Sequence, residues 1–185
     1  MTQFAAVAAM LLAAPGDEWK FTDVNGDVHS PFADGKTNAA VLVFISPDCP
    51  IANAYHPELR RLQKEFTPKG FDFFLLHPDP DVTAETAKAH VKEFGVTAPV
   101  VLDAGQKFTK KVGAKVTPEA AVIDPDGKVL YLGRIDDLYV AWGKKRRSPT
   151  KKELHEALSA IADGKPVPVS RTKPVGCYIP EIKSK

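Results

Sequence analysis

The chain has 185 residues, the size of one domain with a small addition, and its 44% apolar content can fill a core without metal or disulfide staples. A formal net charge of +2 is too small to imply nucleic acid or an anionic membrane as a partner. Only two cysteines occur, which excludes many-bridged secreted scaffolds and zinc sites built from four cysteines.

The first feature in chain order is the unbroken apolar stretch from Phe4 to Ala14. It is too short to span a bilayer but suits the apolar core of a secretory signal, with small residues at Ala13-Ala14. Residues 1–16 are therefore read as a signal peptide or N-terminal extension, with export to the periplasm expected and the cytoplasm as the alternative. Trp19 to His29 reads as a hairpin about Asn25-Gly26, a dipeptide that favours a tight turn with positive φ. Val41 to Ile45 is a continuous run of β-branched and aromatic residues, the pattern of a strand buried on both faces.

Pro50 to Phe66 reads as a helix, with Ile51, Tyr55, Leu59, Leu62 and Phe66 at spacings of three and four, kinked by Pro57. Phe71 to Leu76 is a second buried strand. Thr83 to Phe94 follows as a helix, capped by Thr83 and stopped by Gly95. A short strand at Val100 to Leu102 and a short helix from Gln106 to Val112 lead to Val116-Thr117-Pro118. The runs Ala120 to Ile123 and Val129 to Leu132 are joined by the turn Asp124-Pro125-Asp126-Gly127. The basic run Lys144 to Arg147 reads as a solvated loop. Thr150 to Ala162 closes the globule as a helix, with Thr150 and Glu153 as its capping box. A proline-punctuated tail from Lys165 carries Cys177. Two crossovers and a hairpin predict a mixed sheet with helices on both faces, an α/β sandwich.

Cys49 falls between a buried strand and the helix that follows, with Pro50 suited to the first helical position. The unpaired N–H groups and positive dipole end there stabilise a thiolate, the attacking species in disulfide exchange and peroxide reduction. His56, two turns on, reads as solvent-exposed; His77 ends the second strand; Arg134, Asp136 and Asp137 leave the last strand together as a structural ion-pair group.

A buried strand, a cysteine at the next helix start, a helix proline eight residues later and a Thr-Pro before a late hairpin resemble the thioredoxin superfamily. The stretches SPDCP (46–50), TPEAAVIDPD (117–126), YLGRIDD (131–137), LHEALSAIADGKPV (154–167) and VGCYI (175–179) are similar to the peroxiredoxin-like redoxins. Those proteins are related to the alkyl hydroperoxide reductase/thiol-specific antioxidant group. The chain departs from thioredoxin's Cys-x-x-Cys at Ala52, from many relatives at Ser46, and from true peroxiredoxins at Leu42, where a proline is expected.

The resemblance implies a thioredoxin-like three-layer sandwich over residues 17–165, followed by the tail 166–185. It implies thiol–disulfide exchange with Cys49 as nucleophile and Cys177 as resolving cysteine, and a substrate segment pairing with the backbone at Thr117 and Pro118. The expected partners are a protein disulfide or peroxide and a thiol electron donor, with no nucleic acid, no membrane span, no metal and no cofactor. Peroxide reduction by the same cysteines is one alternative. Another is a Sco-like Cu(I) site using Cys49, Cys177 and a histidine, although Asn53 stands where Sco proteins carry their second cysteine.

Overall fold

The computed structural model describes residues 18–182, so the expected leader lies outside the described residues. The chain opens on the expected hairpin, β1 (Phe21–Thr22) antiparallel to β2 (Val28–His29), with Gly26 at φ +93° in its turn. β3 (Ala39–Phe44) is buried at every residue, as its unbroken apolar run requires.

The next stretch corrects the single kinked helix. Helix α1 covers Pro50–Ala54, and α2 restarts at His56–Phe66. Pro57 has no N–H to give and its ring crowds the carbonyl four residues back, so it serves in the first turn of a new helix, with Tyr55 as the joint. β4 (Phe71–His77) follows, then α3 (Ala84–Phe94), capped by Thr83 and closed by Gly95 in the left-handed region. β5 (Val100–Leu102), α4 (Lys107–Val112), β6 (Val116–Thr117), β7 (Glu119–Ile123) and β8 (Val129–Gly133) complete the central part.

The main sheet has the order β5-β4-β3-β7-β8. β3, β4 and β5 are parallel, and β7 and β8 are antiparallel to their neighbours. Alternation along β3 divides the interior. Ala39, Val41 and Val43 face a core built with α1, α2, α3 and α5 (Glu153–Ala162). Ala40, Leu42 and Phe44 face a second core closed by α4 and the N-terminal hairpin. There the ring of Phe21 lies 4.5 Å from Phe74 and 4.6 Å from Phe108, centroid to centroid. Truncating Phe21 would cost about 3–5 kcal/mol. No helix among the described residues is long and apolar enough to cross a membrane.

Two further expectations are corrected between β8 and α5, and the tail takes a defined place on the sheet. The basic run is solvent-exposed but only partly a loop: β9 (Tyr139–Ala141) and β10 (Lys144–Lys145) form an antiparallel hairpin whose turn is Trp142-Gly143, with Gly143 at φ +70°. Thr150 does not cap α5. Its backbone N–H and hydroxyl both donate to the Asp137 carboxylate, which outcompetes the helix for them, and the helix starts at Glu153. The tail does not hang free. Thr172 joins β8, and β11 (Cys177–Tyr178) pairs antiparallel with β6, placing Cys177 opposite Thr117 and Tyr178 opposite Val116.

Candidate active site

The site forms where β3 ends. The Ile45 N–H bonds to the Leu76 carbonyl, and residues 46–48 carry the chain over the sheet edge to Cys49. Cys49 occupies the N-cap of α1 in extended conformation, φ −93° and ψ 105°, with Pro50 in the first turn. Its sulfur accepts from the Ala52 N–H at 3.4 Å and donates to the Thr117 carbonyl at 3.0 Å. Ser46 meets Cys49 through its backbone carbonyl, which accepts the Cys49 N–H at 3.2 Å. The cysteine has no exposed surface at all.

The second cysteine is among the side chains packed against its cluster. Both are free thiols in this structure. Cys177 is half-buried. Burial first, and then the adjacent Cys49 sulfur, push the Cys177 thiol up to about 12, so it holds its proton at neutral pH. Gly176 makes this approach possible. A Cβ there would stand 2.1 Å from the Thr117 oxygen and 2.6 Å from its carbonyl carbon. The Thr117–Pro118 peptide is cis, and Thr117 and Pro118 are both buried. The backbone edge expected to receive substrate is thus occupied by the chain's own tail.

Side chains from distant elements fix α1 in place. Asn53 donates to the Pro47 carbonyl at 2.7 Å, tying the helix to the loop that presents Cys49. Its carbonyl oxygen lies 2.8 Å from His90 Nε2, on α3. At the joint, the Tyr55 hydroxyl donates to Asp136 at 2.5 Å. Burial raises the Asp136 carboxyl above its ordinary range, partly offset by the bonds from Tyr55 and Leu138. Arg134 pairs with the buried Glu153 on α5. Burial works against the charge of Asp137, but bonds from Thr150 and Lys151 and the charge of Arg146 outweigh it and hold the carboxyl at about 2. The three residues leaving β8 are therefore separate struts, each to a different element.

The histidines correct another expectation. His56 is 2% exposed, packed beside His90 and Phe94 at ring separations of 5.0 and 5.1 Å. His77, fully buried, lies 5.4 Å from His90. Burial first, and then the neighbouring rings, depress His56 to about 4 and His77 to about 3. Both His77 nitrogens lack a protein partner. Among the described residues, no group of three or more His, Cys, Asp or Glu is arranged to hold a metal ion.

Sequence reasoning named the two sulfurs, Thr117 and Pro118, and the structure brings all four together. It missed Asn53, Tyr55 and Asp136 as supports. Asn53 alone had a local signal, one helical turn after Cys49.

Comparisons with known proteins agree with this geometry. Residues 20–138 match the family described as Redoxin. The thiol-disulfide oxidoreductase ResA of Bacillus thuringiensis is 28% identical over 127 residues, 69% of this chain and 72% of that protein. The crystal structure of a conserved protein of Geobacillus kaustophilus superposes with a TM-score of 0.75 at 29% identity, covering 90% of this chain and 89% of that one. A secreted disulfide oxidoreductase of Mycobacterium tuberculosis, homologous to DsbE of E. coli, shares the fold with a TM-score of 0.52 at 16% identity, over 80% and 96% of the two chains.

Proposed function

The chain belongs to the Redoxin family, and from that premise we propose that it is a thiol–disulfide oxidoreductase working through Cys49 and Cys177. The observation that carries this reading is the contact between two free thiols at a helix start, where the Ala52 N–H points at the Cys49 sulfur.

In the reducing direction, the Cys49 thiolate attacks one sulfur of a partner's disulfide. A bond forms between Cys49 and that sulfur, the partner's S–S bond breaks, and its other sulfur leaves as a thiolate and takes up a proton. Cys177 then gives up its own proton and attacks the Cys49 sulfur. The mixed disulfide breaks, the partner departs with both sulfurs reduced, and Cys49–Cys177 remains as the oxidised pair. A separate thiol donor returns the two electrons and two protons. Because Cys49 has no exposed surface and β11 lies across Thr117, β11 has to leave β6 before the first step. The same movement frees the Thr117 backbone beside Pro118 to pair with the substrate. The apolar stretch from Phe4 to Ala14 supports an exported location, where such exchange is useful.

The reading is tested by equilibrating the chain in glutathione buffers of graded potential and following Cys49 and Cys177 by mass spectrometry. An intramolecular couple with a potential above about −300 mV supports an exchange catalyst. A couple well below that value, or no intramolecular disulfide, would sink it.

A further inference from the structure

Beside Cys177 lies an open groove of about 560 Å³ between the β9–β10 hairpin and the tail. Its walls are apolar and in part exposed: Val140 is 47%, Trp142 63% and Tyr178 86% accessible, and Cys177 and Val175 belong to the lining. Single exposed apolar side chains are ordinary, but three gathered round a half-buried thiol form a surface suited to a partner.

Charge gives the partner its chemistry. Lys173 lies in the groove, and Lys144 stands opposite the groove residue Ala141 in the hairpin. No acidic residue lines it. Among the described residues, Lys144, Lys145, Arg147 and Lys173 have no acidic partner; within the basic run only Arg146 is paired, to Asp137. The chain as a whole is nearly neutral at +2, so this gathering of free cations is local. It is also held in shape. Asp137 binds Thr150 and Lys151 at the base of the excursion, and the Arg146 N–H bonds back to the Leu138 carbonyl.

We propose that this groove docks the substrate, and that the substrate is a protein segment whose reacting cysteine lies between an apolar side chain and Asp or Glu residues. The proposal rests on the oxidoreductase reading and names the substrate class for it. The apolar residue packs against Trp142 and Tyr178, its acids meet the lysine rim, and its sulfur arrives at the cysteine pair. An anionic lipid surface would also suit a tryptophan with lysines around it. A lipid gives no reason for an exchangeable thiol in the groove wall, so the peptide is the better occupant.

The test uses the full-length reduced chain and two synthetic peptides, Asp-Leu-Cys-Leu-Glu and Lys-Leu-Cys-Leu-Lys, each joined through its cysteine to thionitrobenzoate. Attack by Cys49 on the peptide sulfur releases the coloured thionitrobenzoate anion. At low salt the acidic peptide is expected to react about ten-fold faster, an advantage that fades as salt screens the rim. The double variant Lys144→Glu/Lys145→Glu should invert the preference. Because both rates are measured on one sample, their ratio is insensitive to any loss of folded protein.

Equal rates with the two peptides overturn the groove assignment and leave the oxidoreductase reading intact. No release from either peptide overturns both. Equal rates together with sedimentation on phosphatidylglycerol vesicles, lost in Trp142→Ala, overturn it in favour of a lipid surface.

Discussion

Cys177 stands directly across the two-residue ladder from Thr117, and the carbonyl of that same Thr117 accepts the Cys49 thiol at 3.0 Å. One backbone position thus holds both sulfurs, and the reduced protein rests with its nucleophile covered. The predictions below follow from this closed state and from the struts around it.

Gly176→Ala should open the site. The added methyl would fall within 2.1 Å of backbone that has nowhere to go, so β11 must lift from β6. Iodoacetamide should then label Cys49 about ten-fold faster or more than in the unaltered chain, at a stability cost of about 1–3 kcal/mol read by urea denaturation. Unchanged labelling of Cys49, followed by mass spectrometry, would show that the tail is not the cover.

The two cysteines should fail in different ways. Cys49→Ser is expected to reduce turnover of a protein disulfide to background. Cys177→Ser should complete the first attack and stop, leaving a partner joined to Cys49 on a non-reducing gel. If the adduct forms on Cys177 in the complementary Cys49→Ser variant instead, the order of attack is reversed.

The buried histidines predict an acid limb to stability. Their folded-state values, about 4 for His56 and about 3 for His77, lie below the ordinary 6.5. Between 6.5 and those values the unfolded chain binds more protons than the folded one. Stability is therefore complete above about pH 6.5 and falls as the pH drops toward 4 and then 3. His56 alone contributes roughly 3 kcal/mol to that fall. His77→Leu, which removes two unpaired buried nitrogens, should raise stability at neutral pH by about 1–3 kcal/mol and flatten the acid limb. Thermal melts from pH 7 to 4 measure both effects, and a destabilised His77→Leu would mean its ring has a partner after all.

Asp137→Asn should loosen the β9–β10 hairpin without unfolding the sheet. The carboxylate is held at about 2 against an ordinary 3.8, so its contribution is present above 3.8 and is lost as the pH falls toward 2. The expected cost near neutrality is about 2 kcal/mol, with faster amide exchange across residues 138–149 than in β3 or β4. Uniform exchange changes over the whole chain would count against a local clamp.

Much of this fold can be read from local pattern. β3 and β4 announce themselves as apolar runs, and Asn25-Gly26 marks the first hairpin, because burial on two faces and a positive φ leave direct traces in residue choice. The break at Tyr55 was half legible: Pro57 signals trouble in a helix, but whether the chain kinks or restarts depends on the anchorage of Tyr55 by Asp136, far along the sequence. Thr150 and Glu153 have the letters of a capping box, yet Asp137 takes the hydroxyl. His56 is buried by α3, and no neighbour in sequence foretells that. At the site, Cys49 is marked by its place after a strand, whereas the seating of Cys177 against Thr117 is a tertiary contact that no sequence pattern foretells.

The tail is fastened on both sides of its cysteine. Thr172 is bound to β8, while Ile179 bonds to the Lys115 carbonyl and the Pro180 carbonyl accepts from Gln106. A strand pinned at both ends can bow outward but cannot peel away. Cys177 therefore stays tethered within reach throughout the cycle, and its effective concentration at Cys49 remains far above that of any free thiol. Covalent complexes with partners should be short-lived in the unaltered protein, and partner choice has to be made before the first bond forms.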